Sequence, residues 1–161
     1  MTKMNVIIVT IMMMVTEGNK IELTCKATPD FNLYVSLLKS DPKGVSADIS
    51  GLALIIINKI KELATTTMNE INGLYKTRPE LKQASDECSR RYKTILNAAV
   101  PQAIEAFTKR NPKFGERGMV DAGVEASKCE EGFKGKSPLT SLTKSMQATS
   151  NVGSVIVKML L

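Results

Sequence analysis

The stretch SADISGLALIIINKIKELATTTMNEINGLYK, residues 46–76, decides the fold. Its apolar and small residues recur at steps of three and four, as one face of an α-helix requires. Ser46 suits the N-cap position, because a hydroxyl there accepts a free backbone N–H of the first turn. The pattern predicts a helix from Ser46 to about Lys76 that packs through one stripe, formed by Ile49, Ala53, Ile56, Ile60, Leu63, Thr67, Ile71 and Leu74.

A second helix is predicted to begin at Arg78-Pro79-Glu80, since proline in the first turn sacrifices no hydrogen bond. Pro101 removes a hydrogen bond and crowds the preceding turn, so we expect a kink or interruption there. Ile104 and Phe107 indicate that the helix resumes beyond it. The inner face of this helix is predicted to contain Leu81, Ala84, Cys88, Tyr92, Ile95 and Ala99.

Two further helices are predicted in the C-terminal half. Residues 111–115 form a loop in this interpretation, and a helix follows from about Glu116 to Gly132. Ser137 caps the last helix and Pro138 opens it. That helix has an apolar face of its own, formed by Leu139, Leu142, Met146, Thr149, Val152, Ile156 and Leu160.

The N-terminal side adds a smaller unit. Thr28-Pro29-Asp30 divides residues 20–39 into two short helices, because Pro29 ends one helix and Asp30 can cap the next. Four long amphipathic helices with short polar connections are typical of an up-and-down bundle. The predicted fold is therefore all-α, an up-and-down four-helix bundle with an N-terminal helical hairpin extension.

The first residues are typical of a secretory signal peptide. Lys3 precedes an apolar run from Met4 to Val15, which is too short for a bilayer span of about 20 residues but suits an h-region. Thr16 and Gly18 can flank the cleavage point. We expect residues 1–18 to be removed, leaving a soluble domain of residues 19–161 without a membrane segment. The alternative is a buried helix or strand of the domain. A secretory route is therefore expected.

Composition argues against catalysis and against nucleic acid. The 161 residues include no histidine, which removes the usual metal ligand and general base. The 22 lysines and arginines are spread along the chain, and Arg90-Arg91 with Lys93 is typical of a solvated helix face. Glu130-Glu131 point about 100° apart on a helix, so we interpret them as solvated surface too. We expect no enzyme activity, metal or cofactor; the net charge of +6 favours an acidic partner.

The chain has three cysteines, Cys25, Cys88 and Cys129. Cys88 and Cys129 fall on the inner faces of successive predicted helices. A bridge between them would stabilise the fold by about 3–4 kcal/mol in the chain-entropy model. Two buried thiols are the alternative at this point. An odd cysteine remains in either case, which is unusual on an oxidising secretory route.

Several stretches resemble the plant invertase and pectin methylesterase inhibitor family. They are residues 23–31 (LTCKATPDF), 48–55 (DISGLALI), 88–92 (CSRRY) and 129–138 (CEEGFKGKSP). The resemblance covers essentially all of residues 19–161. It implies a four-helix bundle behind an N-terminal helical hairpin, with four cysteines in two sequential disulfides.

The resemblance assigns a role to each cysteine. Cys88 and Cys129 match the family's second bridge, and Cys25 matches the first half of the hairpin bridge. The partner of Cys25 falls where this sequence has Tyr34. The resemblance therefore implies that Cys25 is an unpaired thiol, which could form a disulfide-linked homodimer.

Pro112-Lys113-Phe114 match the Pro-Lys-Phe loop of the family's invertase-inhibitor branch. That resemblance implies an inhibitor of acid invertase (β-fructofuranosidase), cell-wall or vacuolar, which inserts this loop into the sucrose-binding active site. A lysine could reach the paired carboxylates of such a glycosidase, Pro112 stiffens its approach, and Phe114 could anchor in an apolar niche. The structural alternative is an interhelical turn with Phe114 in the core.

Two other functions stay open from the sequence. The same scaffold could inhibit pectin methylesterase through a flat face of the bundle, in which case Lys113 would not matter. The chain could also be a degenerate bundle without inhibitory function, given the missing cysteine at position 34.

Overall fold

The part of the chain that the computed structural model describes, residues 48–158 and residue 161, is built from helices. The α-helices are α1 (Ile49–Thr77), α2 (Lys82–Thr94), α3 (Val100–Thr108), α4 (Pro112–Gly132) and α5 (Thr140–Lys158). A 3-10 turn, Pro79–Leu81, leads into α2, and a π-helical turn, Ile95–Ala99, joins α2 to α3. The predicted signal peptide, the helical hairpin and Cys25 lie outside the described residues.

The helices pack as an up-and-down bundle of four rods, in which α2 and α3 together make the second rod. This rod packs against α1 on one side and α4 on the other, and α5 closes the ring between α4 and α1. Helices α1 and α4 lie diagonally and contact each other little. The all-α fold and the four-helix bundle predicted from the sequence are confirmed for the described residues.

Helix α1 begins at Ile49 and has Asp48 as its N-cap, so the prediction of a Ser46 cap was wrong. The Gly51 N–H donates to the Asp48 carboxylate at 2.8 Å. A carboxylate in this position accepts a free N–H and also meets the positive end of the helix dipole. The predicted inner stripe is otherwise correct: six of its residues are buried, and Ile49 and Leu63 are partly buried.

The rod formed by α2 and α3 stays helical through Pro101, so the predicted interruption was wrong. The Val100 N–H donates to the carbonyl of Ile95, five residues back, which widens the helix into one π turn just before the proline. A wider turn is a known way for a helix to absorb a residue that cannot donate a backbone hydrogen bond. The continuous rod carries the buried Tyr92 and Phe107 on one inner face.

The last helix begins two residues later than predicted. Helix α5 starts at Thr140, and the Ser137 hydroxyl accepts the Leu139 N–H at 3.0 Å in a turn that precedes it. Ser137 and Pro138 thus form the approach to the helix rather than its cap and first residue. The predicted apolar face of α5 is confirmed for Met146, Val152 and Ile156, which are buried, whereas Leu160 lies outside the described residues.

Candidate functional site

Pro112, Lys113 and Phe114 form the first turn of α4, so the prediction that they lie in a loop was wrong. The helix starts at Pro112 rather than near Glu116. Proline favours this position because its fixed φ is helical and its missing N–H would have no partner in the first turn. The segment is therefore part of a rigid helix end that projects its side chains from a defined backbone.

A tight corner of three residues, Lys109–Asn111, connects α3 to α4. Arg110 has a φ of 57°, in the left-handed region that allows a sharp reversal. The Asn111 N–H donates to the Ala106 carbonyl at 2.8 Å. This backbone hydrogen bond closes the end of α3, so the Pro-Lys-Phe turn leaves the bundle from a fixed corner.

Two glycines let α4 approach α3 closely. A Cβ atom on Gly115 would lie 2.4 Å from the Phe107 ring, and one on Gly118 would lie 2.6 Å from the carbonyl oxygen of Ala99. The Gly118 position would also place a Cβ 2.9 Å from the Cβ of Ala103. No side chain fits at such distances, so the backbone of α4 rests directly on α3 and on the Phe107 ring. This contact sets where the first turn of α4 stands.

The two phenylalanines at this end of the bundle have opposite roles. Phe107 is 7% exposed and belongs to the core, whereas Phe114 is 50% exposed. The alternative in which Phe114 fills the core is therefore wrong, because Phe107 already occupies that space above Gly115. Lys113 is exposed as well. The turn thus presents a cation and an aromatic ring side by side to solvent.

Two of the charged groups around the turn are held by neighbours. Lys109 pairs with Glu105, and this ion pair lowers the pKa of the Glu105 carboxyl, which keeps it ionised below the usual carboxylate range. Glu116 turns toward α5, where its carboxylate accepts the Ser154 hydroxyl at 3.0 Å and lies 3.7 Å from the Lys158 ammonium. These charges are largely balanced by neighbouring side chains at the surface.

Arg110, Lys113 and Arg117 form no ion pair with any other residue in the described part of the chain. They surround the N-terminus of α4, whose first turn contains no acidic residue. Asn111, the N-cap residue, makes no side-chain hydrogen bond to the helix. The partial positive charge of the helix end therefore adds to the three side-chain charges. The result is a positive surface suited to a carboxylate partner.

Shallow depressions lie on both sides of Phe114. One, of about 300 Å³, is lined by Lys113, Phe114, Glu116, Arg117 and Val120. The other, of about 250 Å³, lies toward α3 and includes Phe114, Lys109 and Asn111 in its lining. The ring of Phe114 thus stands between two hollows of the surface.

A disulfide joins Cys88 of α2 to Cys129 of α4, with their Cα atoms 4.5 Å apart. Both residues are fully buried. The predicted bridge is present, and the alternative of two buried thiols is wrong. It holds α4 to the second rod near the opposite end of the helix from Lys113.

The charge clusters that the sequence assigned to solvated surface are partly structural. Glu130 accepts hydrogen bonds from the hydroxyls of Thr140 and of Thr143, the latter at 3.2 Å, so only Glu131 is plain surface. Arg91 bridges Glu87 at 2.7 Å and Glu125 at 3.1 Å, whereas Arg90 and Lys93 are exposed. Glu130 and Arg91, which face the bundle, each connect two helices, whereas Arg90, among the described residues, pairs only with Glu87 of its own helix.

The described helices include none that is both long enough and apolar enough to cross a membrane. In the same residues no three His, Cys, Asp or Glu side chains come together as a metal site would require.

Sequence reasoning identified Lys113 and Phe114 but missed the residues that display and surround them. Gly115 and Gly118 were a usable signal, because two glycines spaced by three in a helix indicate a close backbone contact. Arg110 and Arg117 were not singled out, since single cations on a basic chain carry little information before the fold places them at one helix end.

Comparison with known proteins identifies the family of this chain. The family model described as plant invertase/pectin methylesterase inhibitor matches residues 19–159. The chain is 76% identical over 139 residues to the Arabidopsis thaliana "Cell wall / vacuolar inhibitor of fructosidase 1", covering 86% of this chain and 68% of that protein. It is 40% identical over 75 residues to "Cell wall / vacuolar inhibitor of fructosidase 2" of the same organism, covering 45% and 42%.

A solved structure has the same fold. The crystal structure of a mutant form of a pectin methylesterase inhibitor from Arabidopsis superposes with a TM-score of 0.76 at 20% sequence identity, covering 88% of this chain and 97% of that one. At this identity the likeness concerns the helical fold.

Proposed function

We propose that this chain, which belongs to the plant invertase/pectin methylesterase inhibitor family, inhibits an acid invertase by placing Lys113 and Phe114 in the sucrose-binding site. The observation that carries the proposal is the first turn of α4, where a half-exposed phenylalanine and a lysine without an ion-pair partner in the described part of the chain project from a rigid helix end. The family is one of inhibitor proteins, and the chain is not an enzyme.

The chemistry of the turn fits the active site of a retaining glycosidase, which uses two close carboxylates. The Lys113 ammonium would donate to these carboxylates as a point charge. The positive helix end and the nearby Arg110 and Arg117 would strengthen the attraction and speed the encounter. Inhibition follows from occupancy, because a bound turn excludes sucrose and offers no glycosidic bond for cleavage.

Rigidity lowers the entropic cost of binding. Phe107 and Gly115 hold the backbone of the turn against α3, so little ordering remains to be done when the partner arrives. Phe114 is already outside the core and can fill an apolar niche as an anchor. A helix end of this kind binds with a preset geometry, which a flexible loop would not provide.

The relatives' names also bear on the place of action and the form of the protein. Both matched Arabidopsis inhibitors are named for the cell wall or the vacuole. This supports a secretory route, and with it removal of residues 1–18 as a signal peptide before the inhibitor domain of residues 19–161 acts. Neither name refers to a dimer, so a disulfide-linked pair through Cys25 rests on the sequence alone.

Lys113→Ala tests the proposal. Purified wild-type protein and variants are titrated against a cell-wall or vacuolar invertase, and residual sucrose hydrolysis gives the inhibition constant. We expect Lys113→Ala to weaken inhibition by about 30-fold or more, the loss typical of a binding hot spot. Helicity and melting temperature should not fall, since the side chain is exposed and removing a cation from a helix N-terminus is neutral or slightly stabilising.

Lys144→Ala is the matched control, because Lys144 is an exposed lysine on α5 away from the turn. It should inhibit as the wild type does. Equal inhibition by Lys113→Ala and wild type would refute the assigned role of the turn. Wild-type protein that blocked pectin methylesterase and left invertase active would replace the proposal with the other activity of the family.

A further inference from the structure

Exposed apolar side chains concentrate on α4. In the described part of the chain the large hydrophobic residues that are exposed are Phe114 (50%), Val120 (43%), Val124 (42%) and Leu161 (66%). The first three all belong to α4. Single exposed apolar residues are ordinary on a protein surface, but three on one helix indicate a contact area.

The two valines lie at the centre of the outward face of the helix. At 100° per residue, Lys113, Arg117, Val120 and Val124 fall within roughly 60° of one another. The opposite side of the helix carries the buried Met119, Ala122 and Ala126, which pack into the bundle. We call the set Lys113, Arg117, Val120 and Val124 the α4 stripe. It runs along the helix from the Pro-Lys-Phe turn for about three turns.

Valine is a poor choice for this position on folding grounds alone. A β-branched side chain loses rotamer freedom in a helix, and an outward position offers less packing in return than a core position does. Val120 and Val124 are one helical turn apart, so their side chains form a single apolar surface. Folding of the bundle does not account for this surface, which indicates that it is used in binding.

The stripe is continuous with the proposed site. Val120 and Arg117 line the same depression as Lys113 and Phe114. We infer that the α4 stripe is a second contact surface for the invertase, which meets an apolar patch bordered by carboxylates outside the sucrose pocket. This inference rests on the proposed function and extends it from the helix end to the helix side.

The charge of the α4 stripe favours the enzyme, rather than a second copy of this chain, as the protein that binds there. Within the described residues Lys113 and Arg117 have no ion-pair partner, and the stripe itself contains no carboxylate. Packing the stripe against its own copy would bring two lysines and two arginines together with only the partly exposed Asp121 of each copy beside them, which is unfavourable. An acidic rim around an apolar patch on the invertase would satisfy Arg117 and cover both valines together.

A double substitution, Val120→Gln with Val124→Gln, removes the apolar surface without harming the helix. Glutamine is a better helix former than valine and adds no charge, so the fold should be as stable as before or more so. Thr65→Gln with Asn69→Gln is the matched control, because these residues are an exposed pair with the same spacing on α1. Lys113→Ala is measured alongside. The readouts are the inhibition constant, the association and dissociation rates, melting temperature and sedimentation.

We expect Val120→Gln/Val124→Gln to weaken inhibition at least about tenfold, mostly through faster dissociation, while the α1 control behaves as wild type. The loss should change little with salt, in contrast to that of Lys113→Ala, which should depend on it. An unchanged inhibition constant in the valine variant, with Lys113→Ala still impaired, overturns the inference and leaves the proposed function intact.

If something other than the invertase covers the α4 stripe, the same measurements give different results. A wild-type dimer that the valine variant abolishes would assign the stripe to self-association. A lower melting temperature with unchanged inhibition would show that another segment of this chain, such as residues 19–47, covers the stripe. Either result overturns the inference. A wild-type protein that does not inhibit invertase overturns both the inference and the proposed function.

Discussion

The same substitution, glycine to alanine, should have opposite effects at Gly118 and Gly73. Alanine is the better helix former by about 0.5–1 kcal/mol, because glycine loses more backbone freedom on folding. At Gly73, in α1, a new Cβ would meet nothing within 4 Å. Gly73→Ala should therefore raise the free energy of unfolding by about 0.5–1 kcal/mol.

At Gly118 the new Cβ would lie 2.6 Å from the Ala99 carbonyl oxygen, about 0.8 Å inside the 3.4 Å at which ordinary contact begins. The obstructing atom belongs to the backbone of the π turn, so it cannot rotate away. Overpacking of this kind costs typically about 1–3 kcal/mol, which exceeds the gain in helix propensity. We expect Gly118→Ala to lower the free energy of unfolding by about 1–2 kcal/mol.

Gly115→Ala should couple stability to function, because its Cβ would lie 2.4 Å from the Phe107 ring beneath the Pro-Lys-Phe turn. Moving the ring or the helix shifts Lys113, so inhibition of invertase should weaken as well as the fold. Urea denaturation followed by circular dichroism gives the free energies, and inhibition assays give the functional change. Two results would refute the close contact between α4 and α3 as the origin of these effects. One is a free energy of unfolding of Gly118→Ala equal to that of the wild type, and the other is a lower free energy of unfolding for Gly73→Ala.

Three other predictions concern the disulfides and pH. Replacing Cys88 and Cys129 together by serine should lower the free energy of unfolding by about 4 kcal/mol for their separation of 41 residues, measured by urea denaturation; a loss below about 1 kcal/mol would contradict the entropy estimate. In Tyr34→Cys the new thiol should form a disulfide with Cys25 and remove disulfide-linked dimers on non-reducing gels; dimers that persist would contradict the implied hairpin bridge. Because the chain has no histidine, a pH dependence of binding between about 5 and 7 should come from carboxylates, so neutralising the enzyme's catalytic pair should change the pH profile of binding measured by calorimetry; an unmoved profile would contradict this.

The helices could be predicted from the sequence because periodicity is a local property. The stripe from Ile49 to Leu74 recurs every three or four residues, and burial in a bundle requires only that such a stripe exist. Helix ends were less predictable. Ser46 and Asp48 are both good N-cap residues, and the choice between them depends on where the preceding chain turns rather than on either side chain.

The error at the start of α4 has a similar cause. Asn111-Pro112 and Gly115 are all frequent in turns, so the local sequence favoured a loop. In the bundle Gly115 instead makes a contact with Phe107, which belongs to the preceding helix on the other side of the corner. The sequence could not show which phenylalanine enters the core, because that depends on the rotation of α4 about its axis. Gly115 and Gly118 set that rotation, because the helix face on which they lack a Cβ atom lies against α3.

The first turn of α4 has features that are unfavourable for a helix end, and contacts elsewhere on the helix offset them. Cations at a helix N-terminus, such as Lys113, typically cost about 0.3–1 kcal/mol each, and the N-cap Asn111 makes no side-chain hydrogen bond that would offset it. A helix end with these properties would fray if it were isolated. Here it is held at its start by the Phe107 ring against Gly115, and the Cys129 disulfide holds the helix near its other end. Because α4 is fastened at both ends, its first turn can keep Phe114 exposed and Lys113 without an ion-pair partner among the described residues, as the proposed binding of an acidic partner requires.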